Sequence, residues 1–386
     1  MRSALEHYRY LKPRLPSMVE ELKAYVAVES CSRDKEGVDR VGVLAADAWR
    51  SEGFEIEVLR NETSGNHVVA RRRGQGRGRL LCHMHLDTTQ PRGTIQEEPV
   101  EETGDRLYGP GILDMKGGWI VLLSAFRALA AGGWDGLESA TVFMCGDEEL
   151  GSPTGRPHIE ELCRSSDWQV IMEPSRSWAL TLSRGLVGAI YLTVHGSGGD
   201  APGGDDGVSA IVEAARKVLA LEALSDRERG SRIRVGIVEA GASRQTLPLR
   251  AWLSVDLRAR SQREGEDLVA GVRRIAERAE LPGSRTEMEG GITRPLFSRN
   301  EGSAEMLRSA ASAGSELGLA ISEAPMSQGG SDGNFGAAMG LPSLDGLGAL
   351  GGTESNRQFI YSEALPQKGA VLAAVIQGLP DSRSRR

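Results

Sequence analysis

Residues 140–144, ATVFM, form a short apolar run that reads as a buried strand, and the chain turns just after it at Gly146. The next side chains are three carboxylates in a row, Asp147, Glu148 and Glu149. Adjacent carboxylates at a strand end repel one another unless a cation sits among them. Neighbouring side chains also leave the backbone in different directions, so Glu148 and Glu149 need not share a role. One can hold a metal while the other moves a proton. Taken alone, the turn reads first as an acidic, solvated surface, so a functional meaning depends on the rest of the chain.

The chain has 386 residues, too many for one ordinary core, which sets two domains as the expectation. A net charge of -7 gives no reason to expect nucleic acid or an anionic membrane as a partner. Residues 1–16 lack an apolar core, so no signal peptide is read there. The most apolar helix-like run, residues 119–131, is short and holds Arg127, so no membrane span is expected. Cys31, Cys82, Cys145 and Cys163 are widely spaced without a CxxC pair; Cys82 and Cys145 read as buried thiols. A reducing cytoplasm is the natural location for such a chain.

Helical patterns over residues 17–28, 37–51, 117–131 and 154–164 alternate with strand-like runs at 54–59, 67–71, 80–84, 140–144 and 169–172. Pro13 and Pro16 are read as interrupting the start, which leaves 17–28 as the first full helix. This alternation means an α/β sheet covered on both faces. From Trp178 the order changes to strand, helix, two strands, helix, strand, which is ferredoxin-like. The expected domains are therefore 1–177 and 292–386 as a catalytic α/β unit, with 178–291 inserted as a lid and dimerisation domain.

Chemistry-bearing residues collect at the strand ends. In HMHLDTT, residues 83–89, His85 and Asp87 are two apart on one strand face. A carboxylate beside an imidazole is the arrangement that fixes a metal-binding histidine in one tautomer. In GPGILDMKGG, residues 109–118, Asp114 precedes a helix, where it can serve as an N-cap or as a carboxylate shared between cations. In IMEP, residues 171–174, Glu173 closes a strand. Ligands of open α/β sheets gather at the carboxyl ends of strands, so His85, Asp114, Glu149 and Glu173 have a common place to meet.

HxDT, GxxDMKGG, DEExGS and an E-P pair occur here in order, followed by SDGNF (331–335) and DGLG (345–348). On these motifs the chain resembles the two-metal hydrolases that include glutamate carboxypeptidase, aminoacylase, acetylornithine deacetylase and succinyl-diaminopimelate desuccinylase. The resemblance covers nearly the whole chain. It implies a zinc-peptidase-like catalytic domain interrupted by a ferredoxin-like lid that often mediates dimerisation. It implies two divalent cations sharing Asp114, one also held by His85 and Glu173, the other by Glu149 and a late histidine. Asp87 would steer His85, and Glu148 would be the general base toward a metal-activated water. Arg294, in TRPL, resembles an arginine that holds a substrate carboxylate, a task that suits a bidentate guanidinium.

The pattern breaks in three places. The six histidines end at His195, so the late position falls on Glu354 in GGTESNRQFI, or on Thr353 with a slip of one. A lid histidine expected to polarise the scissile carbonyl falls on Asp200, or Gly199 with a slip. A lid asparagine becomes Gln245 in RQTLP. Exchanging histidine for glutamate makes the site oxygen-rich, which favours Mn²⁺ over Zn²⁺ or weakens one site. Co²⁺ is a further candidate, with one or two ions per chain. Three readings follow. The first is a metal-dependent amidohydrolase or peptidase acting on a small carboxylate-bearing molecule. The second is a divergent aminohydrolase that releases ammonia from a non-amide C–N bond, in the manner of 5-nitroanthranilate aminohydrolase. The third is a non-catalytic binding protein, against which the intact Glu148 argues. A homodimer or higher homo-oligomer is expected, with a small-molecule substrate and neither nucleic acid nor membrane as partner.

Overall fold

The computed structural model describes residues 2–198, 207–226 and 228–383. The chain divides into two compact units, one made of Met1–Ser183, Ser298–Met326 and Ser331–Arg386, the other of Arg184–Phe297 with Ser327–Gly330.

In the first unit, α1 (Ala4–Leu11), α2 (Leu15–Val26) and α3 (Lys35–Ser51) lead into β1 (Glu55–Leu59), β2 (His67–Arg73) and β3 (Arg79–His85). The short α4 (Thr94–Glu97), β4 (Glu101–Thr103) and β5 (Arg106–Tyr108) come next, then α5 (Gly117–Ala131), β6 (Ser139–Cys145), α6 (Arg156–Arg164), β7 (Trp168–Ile171) and β8 (Ala179–Leu180). The start of the chain differs from the sequence expectation. Ser3 and Glu6 form a reciprocal capping box that opens α1, and Pro16 sits in the first turn of α2. Proline there costs no hydrogen bond, because the first amides of a helix have no internal partner. The prolines therefore begin helical turns rather than break them.

The second unit contains β9 (Leu186–His195), the two-residue strands β10 (Ser197–Gly198) and β11 (Gly207–Val208), α7 (Ala210–Glu222), β12 (Arg232–Ala240), β13 (Arg250–Ala259), α8 (Gln262–Glu277) and β14 (Arg285–Arg294). Its four-stranded sheet has the order β12-β13-β9-β14 with every pairing antiparallel. Together with the two helices this is a ferredoxin-like arrangement. Side chains of β9 and β13 alternate between buried and part-exposed, so one sheet face builds the core from Ile190, Leu192, Leu253 and Val255 with Leu221 and Val272 of the helices. Lys217 of α7 is buried against Glu213 at 3.1 Å and donates to the carbonyls of Ile275, Ala276 and Arg278 at the end of α8. A cation at that end satisfies carbonyls that have no partner within the helix.

The first unit closes with α9 (Glu301–Glu316), β15 (Ser322–Glu323), α10 (Gly333–Ala338), β16 (Ser343–Leu344), β17 (Gly351–Glu354), β18 (Arg357–Tyr361) and α11 (Ala364–Arg383). Its main sheet runs β1-β2-β6-β3-β7-β16. β6, β3, β7 and β16 are mutually parallel along that order, so β3, β6 and β7 finish at one edge. Parallel strands covered by helices on both faces are apolar throughout, and every residue of β7 is buried. α5 lies under this edge with Trp119 through Phe126 all buried. A second sheet, β17-β18-β5-β4, is antiparallel throughout and stands beside the segment Ile112–Lys116 that enters α5.

Candidate metal centre and active site

β3 ends at His85, β6 delivers the acidic turn, and two residues beyond β7 comes Glu173. Gly146 is the residue that lets the turn begin: a Cβ there would fall 2.4 Å from the carbonyl oxygen of Gly65. On the third side, a Cβ on Gly348 would fall 2.1 Å from the carbonyl of Met172, so glycine lets the 345–348 loop lie directly on the strand end that carries Glu173.

His85 is 2% exposed. Its Nδ1 lies 2.8 Å from the backbone carbonyl of Asp87, so it carries the proton and donates it there. Nε2 donates to Asp114 Oδ1 at 3.1 Å, and loss of that proton would leave a lone pair for a cation. Donor atoms of His85, Asp114 and Glu149 lie within 4.8 Å of one another, and so do those of His85, Glu148 and Glu173. The two neighbouring glutamates thus belong to different groups that meet at one imidazole. Burial opposes a charge on His85, but its contacts with Asp114 and Asp87 prevail and hold its pKa well above the usual value. Burial pushes Glu149 up to about 8; His85 opposes this while Asp114 and Glu148 add to it. Carboxylates crowded round one imidazole, one of them reluctant to ionise, are a donor set that a divalent cation fits, because its charge replaces the retained protons.

Asp87 is fully buried and does more than its spacing suggests. Its carboxylate is 3.6 Å from His85 Nδ1, beyond a hydrogen bond. Oδ1 accepts from the amide of Glu148 at 3.0 Å and Oδ2 from the amide of Glu149 at 3.1 Å. The tautomer of His85 is set by the main chain of Asp87, and the side chain of Asp87 fixes the acidic turn.

His67, Cys145 and Asp147 form a third, fully buried group of metal-ligand type. Its polar atoms are already used. His67 accepts from the amide of Gly146 at 2.9 Å and meets Thr154 Oγ1 at 3.0 Å. Asp147 accepts from Thr154, Gly155, Ser64 and Cys145. This group braces the turn from behind.

Glu354 is not brought to the cluster. It ends β17, and its exposed carboxylate accepts from the Tyr108 hydroxyl at 2.7 Å and from Arg106 at 3.0 Å. These partners, with nothing opposing them but slight burial, keep its pKa below the usual range. Thr353 is exposed in the same strand. The late donor expected of this stretch is therefore absent from both groups around His85. In the second unit, Arg294 closes β14 at 3% exposure with Gly330 against its side chain, and Gln245 is exposed between β12 and β13. Asp200 and Gly199 lie outside the described residues.

Sequence reasoning overlooked Gln358, whose side-chain oxygen accepts from the amides of Leu113 at 3.1 Å and Asp114 at 3.2 Å. No sequence signal marks it, since 244 positions separate it from Asp114. It also overlooked Lys368, buried in α11 with its amine on Ser175 Oγ at 2.7 Å and the Gly346 carbonyl at 3.0 Å. A lysine directly before the apolar run 369–376 of that helix is a signal that could have drawn attention to it.

Residues 81–378 match the model of peptidase family M20/M25/M40. The chain belongs to that family. Its M20 membership makes it a hydrolytic enzyme of the metallopeptidase type, and the groups around His85 are its candidate metal ligands. It is 29% identical over 376 residues to carboxypeptidase G2 of Pseudomonas sp. (strain RS-16), covering 94% of this chain and 89% of that one. In fold it is similar to a tripeptidase from Staphylococcus aureus (TM-score 0.75, 17% identity, 95% of this chain and 99% of that one). It is also similar to an M20 family metallo-carboxypeptidase from Sulfolobus solfataricus (TM-score 0.74, 18% identity, 94% and 99%). Among the described residues no helix is long and apolar enough to cross a membrane.

Proposed function

We propose that this M20 enzyme hydrolyses an amide or peptide C–N bond in a small, carboxylate-bearing substrate, with Glu148 as general base. The observation that carries the reading is the split of the acidic turn. Glu149 joins His85 and Asp114, Glu148 joins His85 and Glu173, and Asp87 holds both backbone amides. A divalent cation bound there would acidify a water and polarise the carbonyl. Glu148, part-exposed at the rim, then takes the proton of the attacking water and passes it to the amine nitrogen as the C–N bond breaks. Asp114, His85, Glu149 and Glu173 are the residues that would hold the cation.

One imidazole among carboxylates is an oxygen-rich set, which suits Mn²⁺ at least as well as Zn²⁺, with Co²⁺ as a third candidate. With Glu354 turned to Arg106 and Tyr108, a second ion would have one protein donor fewer than the first. The carboxylate on the substrate is supported by two relatives that are carboxypeptidases by name, and Arg294 is its proposed partner. Asp200 and Gln245 are proposed to contact the substrate from the second unit. That unit is proposed to act as lid and dimer interface; β12, an edge strand with Ile237 and Val238 about half exposed, is the support for the interface. The cell compartment proposed is the cytoplasm, on four free thiols. The test is a panel of N-acyl amino acids, dipeptides and aromatic amines under each metal. Release of an acyl group or amino acid is expected, and ammonia as the sole product would replace this reading with the aminohydrolase one.

A further inference from the structure

The β17–β18 hairpin is built to hold something still. Its two-residue turn, Ser355–Asn356, has φ of 48° and 66°, the left-handed pair that a tight hairpin needs. Glu354, at the end of β17, is tied to Tyr108 and Arg106 of β5, and the Arg106 guanidinium lies 4.5 Å from the Phe359 ring centre. β18 is paired with β5 so that Phe359 faces Tyr108 and Ile360 faces Leu107. These contacts fix Gln358 in both directions. Its backbone carbonyl accepts from Gly109, and its side-chain oxygen accepts from Leu113 and Asp114.

The two amides that Gln358 holds lie where the chain leaves helical geometry. Asp114 has φ -119° and ψ 96°, inside the segment Ile112–Lys116. Buried backbone amides require an acceptor, and one oxygen meeting two successive amides fixes the two peptide planes that carry them, the second being that between Leu113 and Asp114. That plane sets where the Asp114 carboxylate begins, and its Oδ1 sits 3.1 Å from His85 Nε2. Partners of metal-binding carboxylates change metal affinity although they never touch the ion.

We propose that Gln358 is a positioning residue for Asp114, and that the Glu354–Arg106–Tyr108 contact serves the same end by holding the hairpin. The inference rests on the reading of Asp114 as a metal ligand. It assigns the 351–361 stretch a task other than supplying a ligand: it holds one in place.

The test is calorimetric titration of Mn²⁺ into the full-length, metal-free protein at 25 °C, with thermal unfolding of the same samples. Gln358→Leu keeps the size and removes the acceptor, and should weaken Mn²⁺ binding by about 10- to 100-fold. Gln358→Glu restores an acceptor of the same reach and should bind within about threefold of wild type or tighter. A role in folding alone would lower the unfolding temperature and leave the affinity of the folded protein unchanged. If Gln358→Leu does not fold, Gln358→Ser decides, because water can reach the freed amides; the same loss is expected. Wild-type affinity in either variant overturns the inference and leaves the metal reading standing. A wild-type protein that takes up no Mn²⁺, Zn²⁺ or Co²⁺ overturns both.

Discussion

Asp87 Oδ1 accepts the amide hydrogen of Glu148 at 3.0 Å, across 61 positions of sequence, and Oδ2 accepts that of Glu149. The first strand end thereby dictates the shape of the turn after β6. Asp87→Asn keeps the backbone carbonyl that orients His85 but turns one acceptor into a donor facing an amide. The expected result is a fall of about 10- to 100-fold in kcat/KM, with weaker metal binding. Steady-state kinetics alongside metal titration checks it. Unchanged kinetics would mean the turn holds its shape without Asp87.

His85 contributes the only nitrogen to the two groups that share it. His85→Ala should leave the purified protein with a clearly lower metal content after dialysis, measured by elemental analysis. The same occupancy as wild type would remove His85 from the ligand set.

Glu354 is engaged by Tyr108 and Arg106, away from the cluster. Glu354→Gln keeps an oxygen that can accept from both partners and so holds the hairpin, and it should therefore keep the wild-type metal-to-protein ratio. A ratio reduced by one ion would show that the carboxylate swings inward when metal arrives.

These three expectations also mark how far the sequence reaches. The α/β alternation was legible because β2, β3, β6 and β7 each carry a short apolar stretch, and α5 matches residues 117–131 end to end. The order His85, Asp114, Glu149, Glu173 was legible because each follows or borders a recognisable element. The sheet of β4, β5, β17 and β18 was not, because β4 and β5 have three residues each and β17 begins with two glycines. With that sheet unseen, neither the contact of Glu354 with Arg106 nor the hold of Gln358 on Asp114 had a place in the reading. The hold of Asp87 on the acidic turn was not legible for a related reason. Spacing brings its carboxylate near His85, but the bonds it makes are to backbone amides, and amides leave no trace in a motif.

Lys368 gives a pH dependence of stability. Burial pushes its amine down to about 7 from the usual 10.5. Between those values the unfolded chain binds a proton that the folded protein does not, so this group makes stability rise with pH from about 7 to 10.5. Below 7 both states are protonated and its slope vanishes. The slope has an upper bound of about 1.4 kcal/mol per pH unit. Denaturant unfolding of wild type and Lys368→Met across this range should differ in slope, with wild type the steeper. Parallel curves would contradict the burial of an uncharged amine.

The central claim is that neighbouring carboxylates divide the work, Glu149 on the metal and Glu148 on the proton. Glu148→Gln removes the base and keeps the shape of the turn, since Asp87 grips the backbone of residue 148 and not its side chain. The decisive measurement is metal content and turnover on one preparation of this variant. The account predicts a wild-type metal-to-protein ratio with turnover reduced by about 10²- to 10⁴-fold. Near wild-type turnover, or a loss of turnover that follows a loss of metal, would contradict it.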